Sequence, residues 1–192
     1  MDPITSEENI AAPTEEVIQQ WVREAKEGNE DSFARIIEVF AVRLQSILYR
    51  MLLNWDDAKD IAQETFIHAY RALPHYQPKS KFQSWLFQIG ARQALDLLRK
   101  RKRRPISVEF ETAKVDPPAE DKSVARHELG RAIELAIEQL PIDLRTAFVL
   151  SEYEGQGYRE IAEVIGGSAK SVEMKLYRAR QILREQLKGY LE

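Results

Sequence analysis

Apolar residues recur every three or four positions through most of this 192-residue chain, and no segment sustains the two-residue alternation of a half-buried strand. That pattern confines the chain to an all-α fold. Val17, Trp21 and Ala25 mark a first helix. Phe33, Ile36, Ile37, Phe40, Leu44, Ile47, Leu48, Met51 and Leu52 form a broad apolar stripe on a long second one. Asn54-Trp55-Asp56-Asp57 breaks the stripe and offers an acidic N-cap to the next helix, which carries Ile61, Thr65, Ile67, His68 and Leu73 and ends at Pro74. A further helix holds Phe82, Trp85, Leu86, Ile89, Ala94, Leu97 and Leu98 and runs into a basic block.

Between Pro105 and about Ala125 the periodicity stops, and VEFETAKVDPPAEDKS, with its Pro-Pro pair and acidic balance, reads as an exposed, flexible linker. Helical spacing resumes with Leu129, Ile133, Ala136, Ile137 and Leu140, is interrupted by Pro141, and continues through Leu144, Ala147, Phe148 and Leu150. The expected organisation is an acidic tail over 1–16, a helical domain over 17–104, a linker over 105–125 and a second small helical domain over 126–192. Both domains lie near the lower size at which a core sustains itself.

Composition removes several classes of function. The chain has no cysteine, hence no disulfide scaffold, thiolate metal site or thiol chemistry. His68, His75 and His127 are scattered without ligand spacing, and there is no glycine-rich phosphate loop, so neither a metal nor another cofactor is expected, nor an enzyme. No run of about 18 apolar residues offers a membrane span. The acidic N-terminus lacks the basic-then-apolar order of a signal peptide. The expectation is a cytoplasmic protein without membrane insertion of its own.

The formal net charge of −3 hides an uneven distribution. Residues 1–31 carry nine acids against Arg23 and Lys26. Residues 92–104 carry Arg92, Arg99, Lys100, Arg101, Lys102, Arg103 and Arg104 against Asp96 alone. Residues 168–192 carry six bases against three acids. Two basic segments in an acidic chain suggest two contacts with a polyanion, because neutralising phosphates dominates nucleic-acid affinity. For 168–192 alone a solvated helix face is the preferred explanation of the charge; for six consecutive bases at 99–104 it is not.

The segment YREIAEVIGGSAKSVEMKLYRARQILREQL has the layout of a helix-turn-helix. Tyr158, Ile161, Ala162 and Ile165 make a short amphipathic helix, and small Ala162 admits a close neighbour. Gly166 and Gly167 permit a tight turn with positive φ, and Ser168 suits an N-cap. Val172, Leu176, Ala179 and Leu183 then face inward, which leaves Ser171, Lys175, Tyr177, Arg178 and Arg180 outward. An ordinary helical hairpin with a glycine turn shares part of this pattern. Glu173 would repel phosphates, although a carboxylate can accept from a cytosine amino group.

In the N-terminal half, Asp57, Asp60 and Glu64 form an acidic stripe flanked by Gln63 and His68. Taken by itself, such a stripe is better explained by a solubilising face with favourable first-turn acids than by a partner. Phe82, Trp85 and Phe87 precede the basic run, and aromatics beside cations suit single-stranded DNA or core packing alike.

DIAQETFIHAYRAL with FQSWLFQIGARQALDLLRKRKR resembles the second conserved region of bacterial sigma factors, and LPIDLRTAFVLSEYEGQGYREIAEVIGGSAKSVEMKLYRARQIL resembles their fourth. The order, the short linker and the absence of an intervening domain resemble the extracytoplasmic-function (ECF) group of bacterial sigma factors. The resemblance covers about residues 17–104 and 126–188. It implies an alternative initiation factor that binds core RNA polymerase through the β′ clamp helices and the β flap, reads promoter DNA, and is held by an anti-sigma factor.

It also implies residue roles. Asp57, Asp60, Gln63, Glu64 and Phe66 would face the clamp. His75, Lys81, Phe82 and Trp85 would open the downstream (minus-ten) element and capture a base, with Arg92, Arg99, Lys100, Arg101 and Arg103 on the backbone. Ser171, Glu173, Met174, Lys175, Tyr177 and Arg178 would serve the upstream (minus-thirty-five) element. Pro141, Leu144 and Arg145 begin a supporting helix near the flap. Glu173, Met174 and Arg92 depart from the common pattern, which bears on which promoter is read. A stand-alone helix-turn-helix regulator is the rival reading, and a helical protein that sequesters another factor is a third. Dependence on core polymerase separates the first from the second, and salt-sensitive DNA binding separates both from the third.

Overall fold

The computed structural model describes residues 13–77, 81–103 and 124–190. Most of the acidic tail and nearly all of the linker assigned above lie outside the described residues, as do 78–80 and Arg104. Among the described residues there are eight α-helices and no strand: α1 (Glu15–Lys26), α2 (Glu30–Leu52), α3 (Trp55–Ala72), α4 (Phe82–Arg103), α5 (Val124–Glu138), α6 (Ile142–Glu152), α7 (Tyr158–Ile165) and α8 (Ala169–Gln186). Single 3-10 turns follow α3 (Leu73–His75) and α8 (Lys188–Tyr190).

Side-chain caps start the first three helices. Thr14 accepts from the Val17 N–H, Asn29 from Ser32 and Asn54 from Asp57, at 3.4, 3.1 and 2.9 Å. The cap of α3 is therefore the amide of Asn54, while Asp56 and Asp57 lie in the first turn, where their charge favours the helix dipole. Gly28, at φ 97°, turns the chain between α1 and α2. Leu53 closes α2 in the left-handed region at φ 58° and donates its N–H to the Tyr49 carbonyl.

The stripe on α2 packs against α3 and α4, and α1 lies along α2. α1 turns a different face inward from the one expected. Ile18, Val22 and Ala25 are buried, whereas Val17 is exposed and Trp21 half-buried. Ile67 and His68 of α3 likewise face solvent. α4 comes close to its neighbours at Gly90. A Cβ there would stand 3.0 Å from Thr65 Oγ1 and 3.2 Å from Leu44 Cδ1. Thr65 is fully buried, with its hydroxyl 2.6 Å from the Ile61 carbonyl and 2.8 Å from the Gln93 side-chain amide oxygen.

In the C-terminal half, α8 packs on α6 and α7 through Val172, Leu176, Ala179 and Leu183, the four positions expected to face inward. Gly166 and Gly167 adopt φ of 87° and 100°, and Ser168 caps α8 by accepting from the Ser171 N–H. Arg145 does not reach outward as the flap assignment requires. It is 5% exposed, donates to the Glu138 carbonyl, and burial pushes its guanidinium pKa down.

Gly90→Val should overpack the α2–α3–α4 junction and cost about 1–3 kcal/mol. The check is the urea midpoint, with an unchanged slope; a midpoint equal to that of the parent chain would show that the junction yields.

Candidate nucleic-acid interface

The interface on the N-terminal half is built around Phe82. Its side chain is fully buried, 6.2 Å from Phe40 between ring centroids. Tyr76 lies edge-on at 5.5 Å, and Trp85 is tilted over both, 5.4 Å from Phe82 and 4.7 Å from Tyr76. Such aromatic contacts fix ring orientation beyond what burial alone provides. Lys26 ties the backbone down by donating to the Tyr76 carbonyl at 3.0 Å. Phe82 is thus the underlay of the platform, and its assignment as a DNA contact is corrected: a fully buried ring offers no face to a base.

Trp85, with Tyr76, His75 and Gln88, lines a cleft of about 460 Å³. His75 is exposed, Trp85 half-buried and Tyr76 buried. The opposite wall comes from α7, through Glu160 and Glu163. Tyr76 was missed in the sequence because it lies outside the helical periods. Its signal is the aromatic three residues past Leu73, just where α3 stops.

Trp85, Gln88, Arg92 and Arg99 recur at i, i+3, i+7 and i+14, so one face of α4 carries all four. Arg92 Nη2 lies 4.0 Å from Glu163 Oε2, and Arg99 donates to the Ile165 carbonyl at 3.1 Å. Lys81, Lys100 and Arg103 are exposed. Arg101 instead forms a two-pronged bond to Asp57, at 2.5 and 2.8 Å. That pairing holds the guanidinium pKa above its ordinary value, the hydrogen bond to Asp57 being the main cause. One residue assigned to DNA and one assigned to the polymerase are therefore partners of each other.

On α3 the remaining acidic stripe is fully presented. Asp60, Gln63 and Glu64 are exposed, and Ile67, read in the sequence as inward, adds an apolar tip that is 49% exposed. Phe66 is 7% exposed and belongs to the core, which corrects its assignment as a polymerase contact.

The outer face of α8 presents Glu173, Met174, Tyr177 and Arg178, with Met174 and Tyr177 among the more exposed apolar side chains. The Ser171 hydroxyl is occupied locally, donating to the Ser168 carbonyl at 2.7 Å and accepting from the Ser168 N–H. Lys170 pairs with Glu173 at 2.8 Å, which offsets the carboxylate charge on a face otherwise suited to phosphates. Lys175 Nζ is 4.0 Å from an Asp143 carboxylate oxygen.

Comparison with known proteins assigns each half to a family. The Sigma-70 region 2 family matches residues 36–104, and the Sigma-70, region 4 family matches 130–183. The RNA polymerase sigma-H factor of Pseudomonas aeruginosa is 31% identical over 188 residues, covering 93% of this chain and 97% of the relative. The ECF RNA polymerase sigma factor SigW of Bacillus subtilis is 30% identical, covering 91% of this chain and 98% of the relative. The chain belongs to the ECF sigma factors. Among solved structures, CnrH in complex with the cytosolic domain of CnrY is similar at a TM-score of 0.64 and 28% identity, over 90% of this sigma factor and 98% of that chain. The α4 face and the aromatic side of the cleft lie in the region-2 match, and Glu160, Glu163 and the outer face of α8 in the region-4 match.

Asp57 and Arg101 are partly exposed, at 18% and 41% for their side chains, so their pair should contribute little to stability. A double-mutant cycle of Asp57→Asn and Arg101→Met, read by chemical denaturation, should give a coupling of about 1 kcal/mol or less. A coupling well beyond that would make the pair a structural anchor of α4 on α3.

Proposed function

We propose that this sigma factor binds core RNA polymerase, directs it to a particular set of promoters and helps open their minus-ten element. The observation that carries the reading is the division of exposed surface. An acidic-and-apolar stripe on α3 (Asp60, Gln63, Glu64, Ile67), an aromatic cleft beside a cationic helix face, and a separate recognition helix occupy different faces of the two matched regions. Protein binding, strand opening and duplex reading therefore have separate sets of residues.

The exposed α3 stripe complements a basic helical surface such as that of the β′ clamp. The cleft, with Trp85 over Phe82 and His75 at its edge, suits one unstacked base, whose extrusion costs a few kcal/mol that stacking and polar contacts offset. Lys81, Arg92, Arg99, Lys100 and Arg103 suit the adjoining phosphates. Glu173, Met174, Tyr177 and Arg178 on α8 suit the upstream element, with Lys175 behind them. Tethering both regions to one polymerase makes the second DNA contact effectively intramolecular, which raises avidity by a factor on the order of 10² or more. None of these steps forms or breaks a covalent bond, so the role is not enzymatic. It belongs in the bacterial cytoplasm, where the polymerase works. We also propose control by an anti-sigma factor; the solved complex of CnrH with the cytosolic domain of CnrY supports a partner of that kind.

Run-off transcription with core polymerase on a library of genomic fragments tests the function. Discrete starts that depend on the added protein are expected; none, with active core and folded protein, would favour a stand-alone regulator. Asp60→Lys combined with Glu64→Lys should weaken core binding roughly tenfold or more without lowering the melting temperature, since both side chains are exposed. Unchanged affinity in a titration with core would remove the α3 stripe from the polymerase contact. Arg178→Ala should cost about 1–3 kcal/mol on promoters with an upstream element and little on promoters opened through the downstream element alone. Equal loss on both would contradict its assignment to the upstream element.

A further inference from the structure

The exposed face at the start of α8 carries an acid among bases. Lys170 and Glu173 lie in its first two turns, with side chains 75% and 48% exposed, and Lys170 Nζ donates to Glu173 Oε2 at 2.8 Å. An open pair of this kind adds little stability. Its effect is local: a carboxylate facing phosphates alone would repel them, and Lys170 offsets that charge. Neighbouring polar groups are engaged elsewhere. The Ser171 hydroxyl donates to the Ser168 carbonyl and accepts from the Ser168 N–H. Lys175 is drawn towards Asp143, and Arg180 donates to Glu152 at 2.6 Å. A recognition helix meets base edges through its N-terminal residues, so Glu173 is the polar side chain best placed to read one there.

An ionised carboxylate accepts hydrogen bonds and cannot donate one. In the major groove guanine offers only the acceptors N7 and O6, and thymine offers the acceptor O4 beside a methyl group, so both repel it. Adenine sets an amino group next to the acceptor N7. Cytosine alone offers an amino group, at N4, with no acceptor beside it. Lys170 takes one lone pair of Glu173 and leaves the carboxylate with capacity for a second donor. We propose that Glu173 is a specificity-determining residue that selects cytosine at one position of the upstream element, and that Lys170 is the positioning residue that holds it there. The inference rests on the reading of α8 as the helix that serves the upstream element. An amide at 173 both donates and accepts, which matches adenine N6 and N7 instead. Glu173→Gln should therefore exchange cytosine for adenine at that one position.

The experiment uses the full chain with core RNA polymerase, on fragments of a promoter that the chain transcribes, with the upstream element randomised and the rest held constant. Retained fragments are sequenced for the parent, Glu173→Gln, Lys170→Met, Lys170→Arg and Arg178→Ala. The parent should favour cytosine at one position by roughly tenfold over guanine or thymine. In Glu173→Gln adenine should lead at that position, with the other positions unchanged. Removing the negative charge also strengthens binding to every fragment, but that gain carries no base preference, so only the change at one position counts. Lys170→Met should reduce the cytosine ratio and Lys170→Arg restore it, a readout that a purely structural lysine would not move. Arg178→Ala should alter a different position. A cytosine preference that survives Glu173→Gln would overturn the proposal, as would a Glu173-sensitive position that favours guanine or thymine. An unaltered cytosine ratio in Lys170→Met would overturn the part given to Lys170. No base preference anywhere in the randomised element, with transcription still starting, would overturn the reading of α8 itself. Lys170, Glu173 and Arg178 are all exposed, so each variant should fold, and thermal melts matching the parent check this.

Discussion

The close approach of α4 to α2 and α3 at Gly90 sets the position of everything the region-2 half presents. Gly90 contributes no side chain there, so the α4 backbone comes down onto the Leu44 and Thr65 side chains. One end of that helix buries Phe82 beneath Tyr76 and Trp85. The other ends in Lys100, Arg101, Lys102 and Arg103 in the last turn, where cations also suit the helix dipole. Platform and cationic end are thus parts of one rigid rod, and their separation is set by helix geometry.

A second constraint is that α7 has two occupied faces. Ile161, Val164 and Ile165 are buried, and α7 packs on α8, which the two glycines allow to turn back tightly. Glu160 and Glu163 face the cleft instead. Glu160 also caps its own helix, its carboxylate accepting from the Gly157 N–H at 2.8 Å. A residue that secures the start of α7 is therefore the one presented to the cleft, and the acidity of that wall is tied to the stability of the helix.

How far the sequence speaks depends on the range of the interaction. The inward face of α8 was legible because Val172, Leu176, Ala179 and Leu183 leave no competing apolar stripe. In α1 the pairs Val17–Ile18 and Trp21–Val22 place apolar residues side by side, so spacing alone cannot choose between two faces; packing against α2 chooses Ile18 and Val22. Ile67 misled for the opposite reason: its apolar character said core, while the geometry of α3 put Thr65, Phe66 and Ala69 there. Phe66 and Phe82 lie on the inner face of their helices, which the resemblance of their segments does not reveal. The Arg43–Glu154 contact, 111 positions apart, leaves no local pattern. Its one trace was a charged residue in a turn, indistinguishable from any solvated glutamate.

That contact takes a carboxylate out of solvent. Burial pushes the Glu154 carboxyl pKa up even though Gln83 and Arg43 both favour its charged form. Desolvation opposes ionisation of Glu154, and its two partners favour it. A buried pair of this kind selects a geometry more than it adds affinity, while loss of one partner leaves an uncompensated charge. The outlying contacts add little: Arg92–Glu163, at 4.0 Å, and Arg50–Glu134, at 3.8 Å, involve solvent-exposed or half-exposed side chains.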